Sequence, residues 1–211
     1  MKIETQNLNG DKSSIDVNDK IFTTKLNKTV ISNVLYKQFA NIKGRRAKTK
    51  QKNEIIGSTS KIYSQKGTGN ARHASRKAPI FVGGGIAHGP KGQNNYKIRK
   101  LTKSEKKLSV KSLISEKNNQ KKLLVLSDFE KEIKKTKEMY KILKKLDATN
   151  SLIVTDKKSL DLIYKSTKNI PNIKITDANH FSSYDLVKYE KLILTISSIK
   201  DLEKRLVWPI I

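Results

Sequence analysis

The chain has 211 residues, with 45 lysines and arginines against 19 acids and a net charge of +26. An excess that large repels itself in a free compact protein and calls for a polyanionic partner, nucleic acid before anionic membrane. The lack of cysteine excludes disulfides and thiolate zinc sites, and no aliphatic run approaches the length of a membrane span.

The N-terminal stretch MKIETQNLNGDKSSIDVNDK has no apolar signal core, and it carries Glu4, Asp11, Asp16 and Asp19 but no Arg, which argues against a transit peptide. The expectation is a soluble intracellular protein. Leu26, Val30, Ile31, Val34, Leu35, Phe39 and Ile42 then recur at spacings of three and four, which predicts a helix with one apolar face.

The charge is unevenly spread beyond that point. Residues 41–100 hold 15 cations and a single acid, Glu54, and nine of the ten glycines fall between Gly44 and Gly92. The stretch Gln65–Gly92, QKGTGNARHASRKAPIFVGGGIAHGPKG, has neither a helical period nor a useful strand alternation. Regular structure resumes at Thr102 and Glu105, a capping-box spacing in which each side chain satisfies a helix-start amide, and Val110, Leu113 and Ile114 continue an apolar face. A structureless segment of this length between two helices is uncommon in a compact domain and is usually functional or disordered.

The C-terminal part alternates. Apolar runs at 122–128 (KLLVLSD), 151–156 (SLIVTD), 172–177 (NIKITD) and 191–195 (KLILT) are separated or followed by helical patterns at 133–146, 157–165, 182–188 and 197–206. Short strands apolar on both faces, alternating with helices, predict an α/β fold with a mainly parallel sheet flanked by helices, a Rossmann-like three-layer arrangement. The resulting division is a globular α/β domain of residues 1–43 and 99–211, with an extended basic loop, 44–98, inserted between two helices.

Enzyme motifs fail on spacing. Gly67-Thr-Gly69-Asn-Ala-Arg72 begins like a dinucleotide fingerprint but has Arg at the third glycine position and follows no predicted strand. Gly84 and Gly89 have P-loop separation, yet Pro90-Lys91-Gly92 replaces the Lys-Ser/Thr pair. His73, His88 and His180 are far apart and show no carboxylate partner pattern, so they are read as polar loop histidines, the first two near RNA, with no metal site and no cofactor. Asp128, Asp156 and Asp177 end three predicted strands, where α/β enzymes place metal-binding carboxylates. Each also precedes a helical segment, and N-capping explains all three. An aspartate-dependent phosphotransferase or nuclease is therefore the weaker alternative, beside a free-standing RNA-binding regulator.

The basic segment carries the stronger signal. Arg45, Arg46, Lys48, Lys50 and Lys52 follow the first helix; Lys61, Lys66, Arg72, Arg76, Lys77 and Lys91 continue; Lys97, Arg99 and Lys100 close it. These are phosphate-gripping donors. Gly67 and Gly69 let backbone amides approach a sugar-phosphate surface, while Tyr63, Phe81 and Tyr96 offer rings for unpaired bases. A membrane partner is not expected, because glycine-rich sequence does not make an amphipathic helix.

These residues resemble a known family. Gln65-Lys66-Gly67-Thr68-Gly69-x-Ala71-Arg72, then Ser75 and Pro79, Gly83-Gly84-Gly85 and Gly89-Pro90-Lys91, are similar to the bacterial-type L-four (universal uL-four) family of large-subunit ribosomal proteins. Gly44-Arg45-Arg46, Thr49-Lys50 and Glu54-Ile55-x-Gly57 fit the same pattern. The resemblance covers essentially the whole chain. It implies a non-catalytic cytoplasmic ribosomal protein with a globular α/β domain on the outside of the large subunit. A loop would thread inward through the rRNA, neighbouring ribosomal proteins would be partners, and a role in early subunit assembly follows. It places Gln65, Lys66, Gly67 and Thr68 at a tip on the wall of the exit tunnel, beside the nascent peptide, with Lys66 nearest tunnel-binding macrolides. The chain departs from the family pattern at Ile62-Tyr63-Ser64, where Trp and Arg usually precede Gln-Lys, and at Asn70, where Arg is usual.

Overall fold

Apolar runs four or five residues long are too short for helices of useful length and suit strands buried on both sides. In the computed structural model, which describes residues 1–7, 12–129 and 132–207, they form the parallel part of a six-stranded sheet. The elements in chain order are β1 (Lys2–Gln6), β2 (Lys12–Asp16), α1 (Asp19–Phe22), α2 (Lys28–Lys43), α3 (Lys103–Asn119), β3 (Leu123–Leu126), α4 (Thr136–Lys145), β4 (Ser151–Thr155), α5 (Lys157–Thr167), β5 (Ile173–Asp177), α6 (Ser183–Lys188), β6 (Lys191–Thr195) and α7 (Ile196–Val207). The strand order is β2-β1-β3-β6-β4-β5, all neighbours parallel except the antiparallel pair β1–β2 at one edge. The chain divides into two compact units, residues 1–38 with 100–211, and residues 39–99.

Strand side chains alternate between faces, and the core follows that period. Val125 of β3, Leu152 and Val154 of β4, and Leu192 and Leu194 of β6 pack in one cluster with Ile21 and Phe22 of α1, Ile114 of α3, Leu186 of α6 and Leu202 of α7. Leu126, Ile153 and Ile193, the residues in between, pack in a second cluster with Met139 and Leu143 of α4 and Ile163 of α5. Helices therefore cover both faces of the sheet.

Local chemistry sets the helix starts. Thr102 and Glu105 form the expected capping box of α3, the Thr102 hydroxyl accepting from the Glu105 amide at 3.2 Å and the Glu105 carboxylate from the Thr102 amide at 3.1 Å. Ser182 and Asp185 repeat the device at α6. Helix α3 also buries three serines in register: Ser109 bonds Ser183, Ser112 the Lys25 carbonyl, and Ser115 the Ile21 carbonyl. Their small, satisfied side chains allow close docking against the α1 segment and α6.

Two helix predictions need adjustment. Helix α4 begins at Thr136, not 133, because Ile133 packs against the second core cluster from outside the helix. At the end of α2, Ile42 is 71% exposed, so the apolar stripe runs past the part of the helix that Ile31 and Val34 bury.

Candidate nucleic-acid interface

Helix α2 stops because Gly44 takes a positive φ of 62° with its amide on the Ala40 carbonyl, a helix-ending conformation that favours glycine. A side chain there would also strike Gln93, whose Oε1 accepts the Arg45 amide at 3.2 Å. The two ends of the basic segment are held together nearby. The Asn41 side chain accepts from the Arg99 amide at 2.8 Å and donates to the Arg99 carbonyl at 3.0 Å, while the Tyr96 hydroxyl donates to the Ala40 carbonyl at 2.8 Å.

Beyond Gly44 the two limbs of the segment exchange backbone hydrogen bonds: Gly92 to Ala47, Thr49 to Pro90, and Ile86 to Lys50, with an antiparallel bridge at Lys48 and Lys91. Further along, Gly85 bonds Lys77 and Ile62 bonds Ala74. At Gly85 the backbone of one limb lies directly against the backbone of the other. A Cβ there would lie 2.3 Å from the Lys52 amide nitrogen, so only glycine lets the limbs touch at this place. Apart from the bridge and a 3-10 turn at Gln93–Asn95, the described residues from 44 to 101 contain no helix or strand.

The sequence-predicted residues fall along this framework. Arg45, Arg46, Lys48, Lys50, Lys52, Lys61, Lys66, Arg72, Arg76, Lys91, Lys97, Arg99 and Lys100 are exposed, and Lys77 is half-buried. Glu54, the one acid among them, is already engaged: it accepts from the Gln51 amide at 3.2 Å and pairs with Lys48 at 3.3 Å. The Gln51 hydrogen bond first, and Lys48 second, hold its carboxyl below the usual range, so it stays charged and cancels one cation only. Gln65, Lys66, Gly67, Thr68 and Gly69 are all exposed, with positive φ at Gly67 and Gly69 and open space around both. Lys61 reaches the Gln65 side chain at 2.8 Å and the His73 carbonyl at 3.0 Å.

The aromatic residues do more inside the segment than their spacing suggested. The Tyr63 hydroxyl donates to the Ala71 carbonyl. His73 stands between Tyr63 and Phe81 in edge-on contacts with ring centroids 6.1 and 4.9 Å apart. Such pairs favour edge-to-face geometry for quadrupolar reasons. They brace the limb turn in a region that has no hydrophobic core of its own.

A family model described as "Ribosomal protein L4/L1 family" matches residues 15–205. The large ribosomal subunit protein uL4 of Pelagibacter ubique is 66% identical over 205 residues, 97% of this chain and 99% of the relative. Those of Desulforapulum autotrophicum and Clostridium beijerinckii are 36% and 35% identical over 205 and 199 residues, covering 96% and 94% of this chain. The chain belongs to the ribosomal protein L4/L1 family. As a member it is a structural, non-enzymatic protein of the large ribosomal subunit, working in translation within the cytoplasmic ribosome, with rRNA and other ribosomal proteins as partners. No helix among the described residues is long and apolar enough to cross a membrane.

The strand-end aspartates serve this L4/L1 domain as separate structural groups. Asp156 caps α5 as expected, accepting from the Ser159 amide at 3.3 Å. Asp128 does not cap α4; it accepts from the amide and hydroxyl of Ser197 at 3.0 and 2.5 Å, and so satisfies the start of α7 from the end of a neighbouring strand. Asp177 does not cap α6 either, since Ser182 holds that place; it pairs with His180 at 3.1 Å. The expectation that His180 lacks a carboxylate partner is thus corrected: an i, i+3 turn brings the two together. A shallow cleft of about 510 Å³ lies beside them, lined by Lys157, Leu160, Asp161, Thr176, Asp177 and His180. It gathers one strand-end aspartate, not the three. Among the described residues no group of three or more His, Asp or Glu is placed to hold a metal. Arg205 of α7 closes the same corner, donating to the Ala178 and Phe181 carbonyls at 2.8 and 3.3 Å with its guanidinium over the Phe181 ring. Sequence reasoning missed it, because one arginine in a helix rich in charges has no local mark.

Proposed function

We propose that residues 44–98 form the rRNA-binding arm of this family member, supporting early assembly of the large subunit, and that Gln65, Lys66, Gly67 and Thr68 lie at the wall of the nascent-peptide exit tunnel. The observation that carries this reading is electrostatic. Eleven of the twelve cations in the segment are exposed, and its one carboxylate is already paired within it. Such a surface releases counterions when it meets a phosphate backbone. Cations near the ends of the segment, Arg45, Arg46, Lys48, Arg99 and Lys100, supply sequence-independent grip. The middle cations and Tyr63 work where the RNA is irregular. Two limbs of about twenty-five residues at about 3.3 Å each have a contour of at most ~80 Å, an upper bound on the RNA surface that such an arm can follow between its ends and its tip. We read the helix-covered sheet as a Rossmann-like scaffold that carries the arm and holds no nucleotide.

The test is a comparison of two variants of the full chain in cells and on rRNA. Replacing Arg45, Arg46 and Lys48 with Gln lowers rRNA affinity and flattens its salt dependence by about 0.7–0.9 log units per lost contact, with reduced subunit yield. Lys66→Glu leaves assembly near normal and alters macrolide response or nascent-chain passage. If Lys66→Glu blocked assembly as strongly as the triple change and left every tunnel property intact, the tip assignment would be wrong.

A further inference from the structure

Within the unit of residues 39–99 lies a cleft of about 430 Å³ whose lining includes the aliphatic Ile56, Ile62 and Val82 beside Lys61, Arg76 and Lys77. The volume is within the roughly 300–1,000 Å³ usual for small-molecule sites. Its composition is unusual for a solvated basic surface. Ile56 is 99% exposed and Val82 107%, although a phosphate contact has no use for either. Singly, exposed aliphatic side chains are ordinary, but here Ile55, Ile56, Ile62 and Val82 line one cleft together and are rimmed by cations, the pattern of an interaction site.

We infer that this cleft receives one unpaired nucleobase of the rRNA, Ile56 and Val82 packing on its face while Arg76 and Lys77 hold the adjoining phosphates. This deepens the rRNA-arm reading above and rests on it. Charge decides between occupants. The single carboxylate in this stretch, Glu54, is paired with Lys48, so nothing near the cleft offsets Arg76 and Lys77, and Lys61 is held in place by the Gln65 side chain and the His73 carbonyl. An apolar segment of a neighbouring protein would gain from the aliphatic wall and nothing from these cations. A phosphate alone would gain from the cations and leave the isoleucine and valine in water. A nucleotide splayed out of single-stranded RNA presents both faces at once. Gly83, at a φ of 80° with open space around it, keeps the wall beside Val82 free of a side chain.

The test uses the double change Ile56→Ser and Val82→Ser in the full chain. Both residues are exposed, so no core packing is lost, and no charge changes. With transcribed large-subunit rRNA as the probe, filter binding at several salt concentrations should show about a 5- to 30-fold loss of affinity, the size expected for two partly covered aliphatic side chains, with the salt slope unchanged. Chemical probing should show one unpaired nucleotide shielded by the wild-type chain and open with the variant, the remaining footprint intact. A variant with wild-type affinity and footprint overturns the base pocket and leaves the arm standing. So does a variant normal on naked rRNA but depleted from assembled subunits, which would assign the cleft to a neighbouring protein. A wild-type chain that protects no nucleotide of 44–98's expected footprint overturns the arm itself, and the pocket with it.

Discussion

Asn41 grips the backbone of Arg99 on both sides of one residue, accepting its amide at 2.8 Å and donating to its carbonyl at 3.0 Å. One side chain thereby joins the chain entering the basic segment to the chain leaving it. Each bond contributes about 0.5–1.5 kcal/mol net. Asn41→Ala should ease local opening by about 1–2 kcal/mol and speed trypsin cleavage of the free protein at neighbouring cations by about 5- to 30-fold. Unchanged cleavage would show that Tyr96 and Gln93 hold the ends without it.

Gly85 and Gly67 have the same residue type for different reasons, and alanine separates them. At Gly85 a methyl group would press into the Lys52 amide, and such overpacking costs about 1–3 kcal/mol. The Ile86 amide, bonded to the Lys50 carbonyl, should lose hydrogen-exchange protection. At Gly67 nothing lies within 4 Å and only the φ of 84° resists, about 1–2 kcal/mol of local strain that should leave Ile86 protected. Equal effects on Ile86 would remove the distinction.

Ser115 satisfies two groups at once, donating to the Ile21 carbonyl at 2.9 Å and accepting the Thr24 amide at 3.0 Å, while almost wholly buried itself. Ser115→Ala leaves both backbone groups short of a partner, and should lower the stability of the α/β unit by about 1–3 kcal/mol. The readout is the urea midpoint at constant m-value; a shift equivalent to less than about 0.5 kcal/mol, the size of an ordinary surface change, would mean that water replaces the hydroxyl.

Glu105 titrates below the ordinary carboxylate range, first through the Thr102 hydroxyl and then through the Thr102 amide. A carboxyl whose folded pKa lies below its unfolded value adds stability that is complete above the unfolded pKa and lost as pH falls through the folded one. The first turn of α3 should therefore fray on acidification, with the Glu105 amide losing exchange protection over the same interval in which the Glu105 carboxyl signal titrates in an NMR series. Glu105→Gln should abolish that coupling while keeping most of the cap. A Glu105 midpoint at or above the normal glutamate value would contradict the reciprocal bonds.

What could be read from the residues follows physical range. β3, β4 and β6 were legible because strands buried on both faces must be largely apolar, β5 because Ile173 and Ile175 alternate with Lys174 and Thr176 at the sheet's other edge, and α3 because Thr102 and Glu105 sit three apart. β1 (KIETQ) buries Ile3 and Thr5 in alternation, but Thr5 is polar and hides the period, while β2 (KSSID) is an edge strand where polar residues suffice. Which helix Asp128 satisfies has no local mark, because its partner, Ser197, is 69 residues away. In the basic segment the cations and glycines announced themselves by density. The contact that makes Gly85 indispensable to the limb pairing, and the exposure of Ile56 and Val82, depend on which residues meet across the segment, and no local pattern encodes that.

The position of β6 has a consequence for how this protein comes into being. Among the described strands it is the last made, yet it lies in the middle of the sheet, joining β3 on one side to β4 on the other. Until residues 191–195 emerge, the growing chain owns two half-sheets with no shared strand. The basic segment, by contrast, is complete once Arg99 is out. At about 5–20 residues per second, the intervening stretch takes about 5–20 s to synthesise. For that interval the most strongly cationic part of the molecule is in solution ahead of a finished domain, open to whatever RNA, or whatever escort, reaches it first.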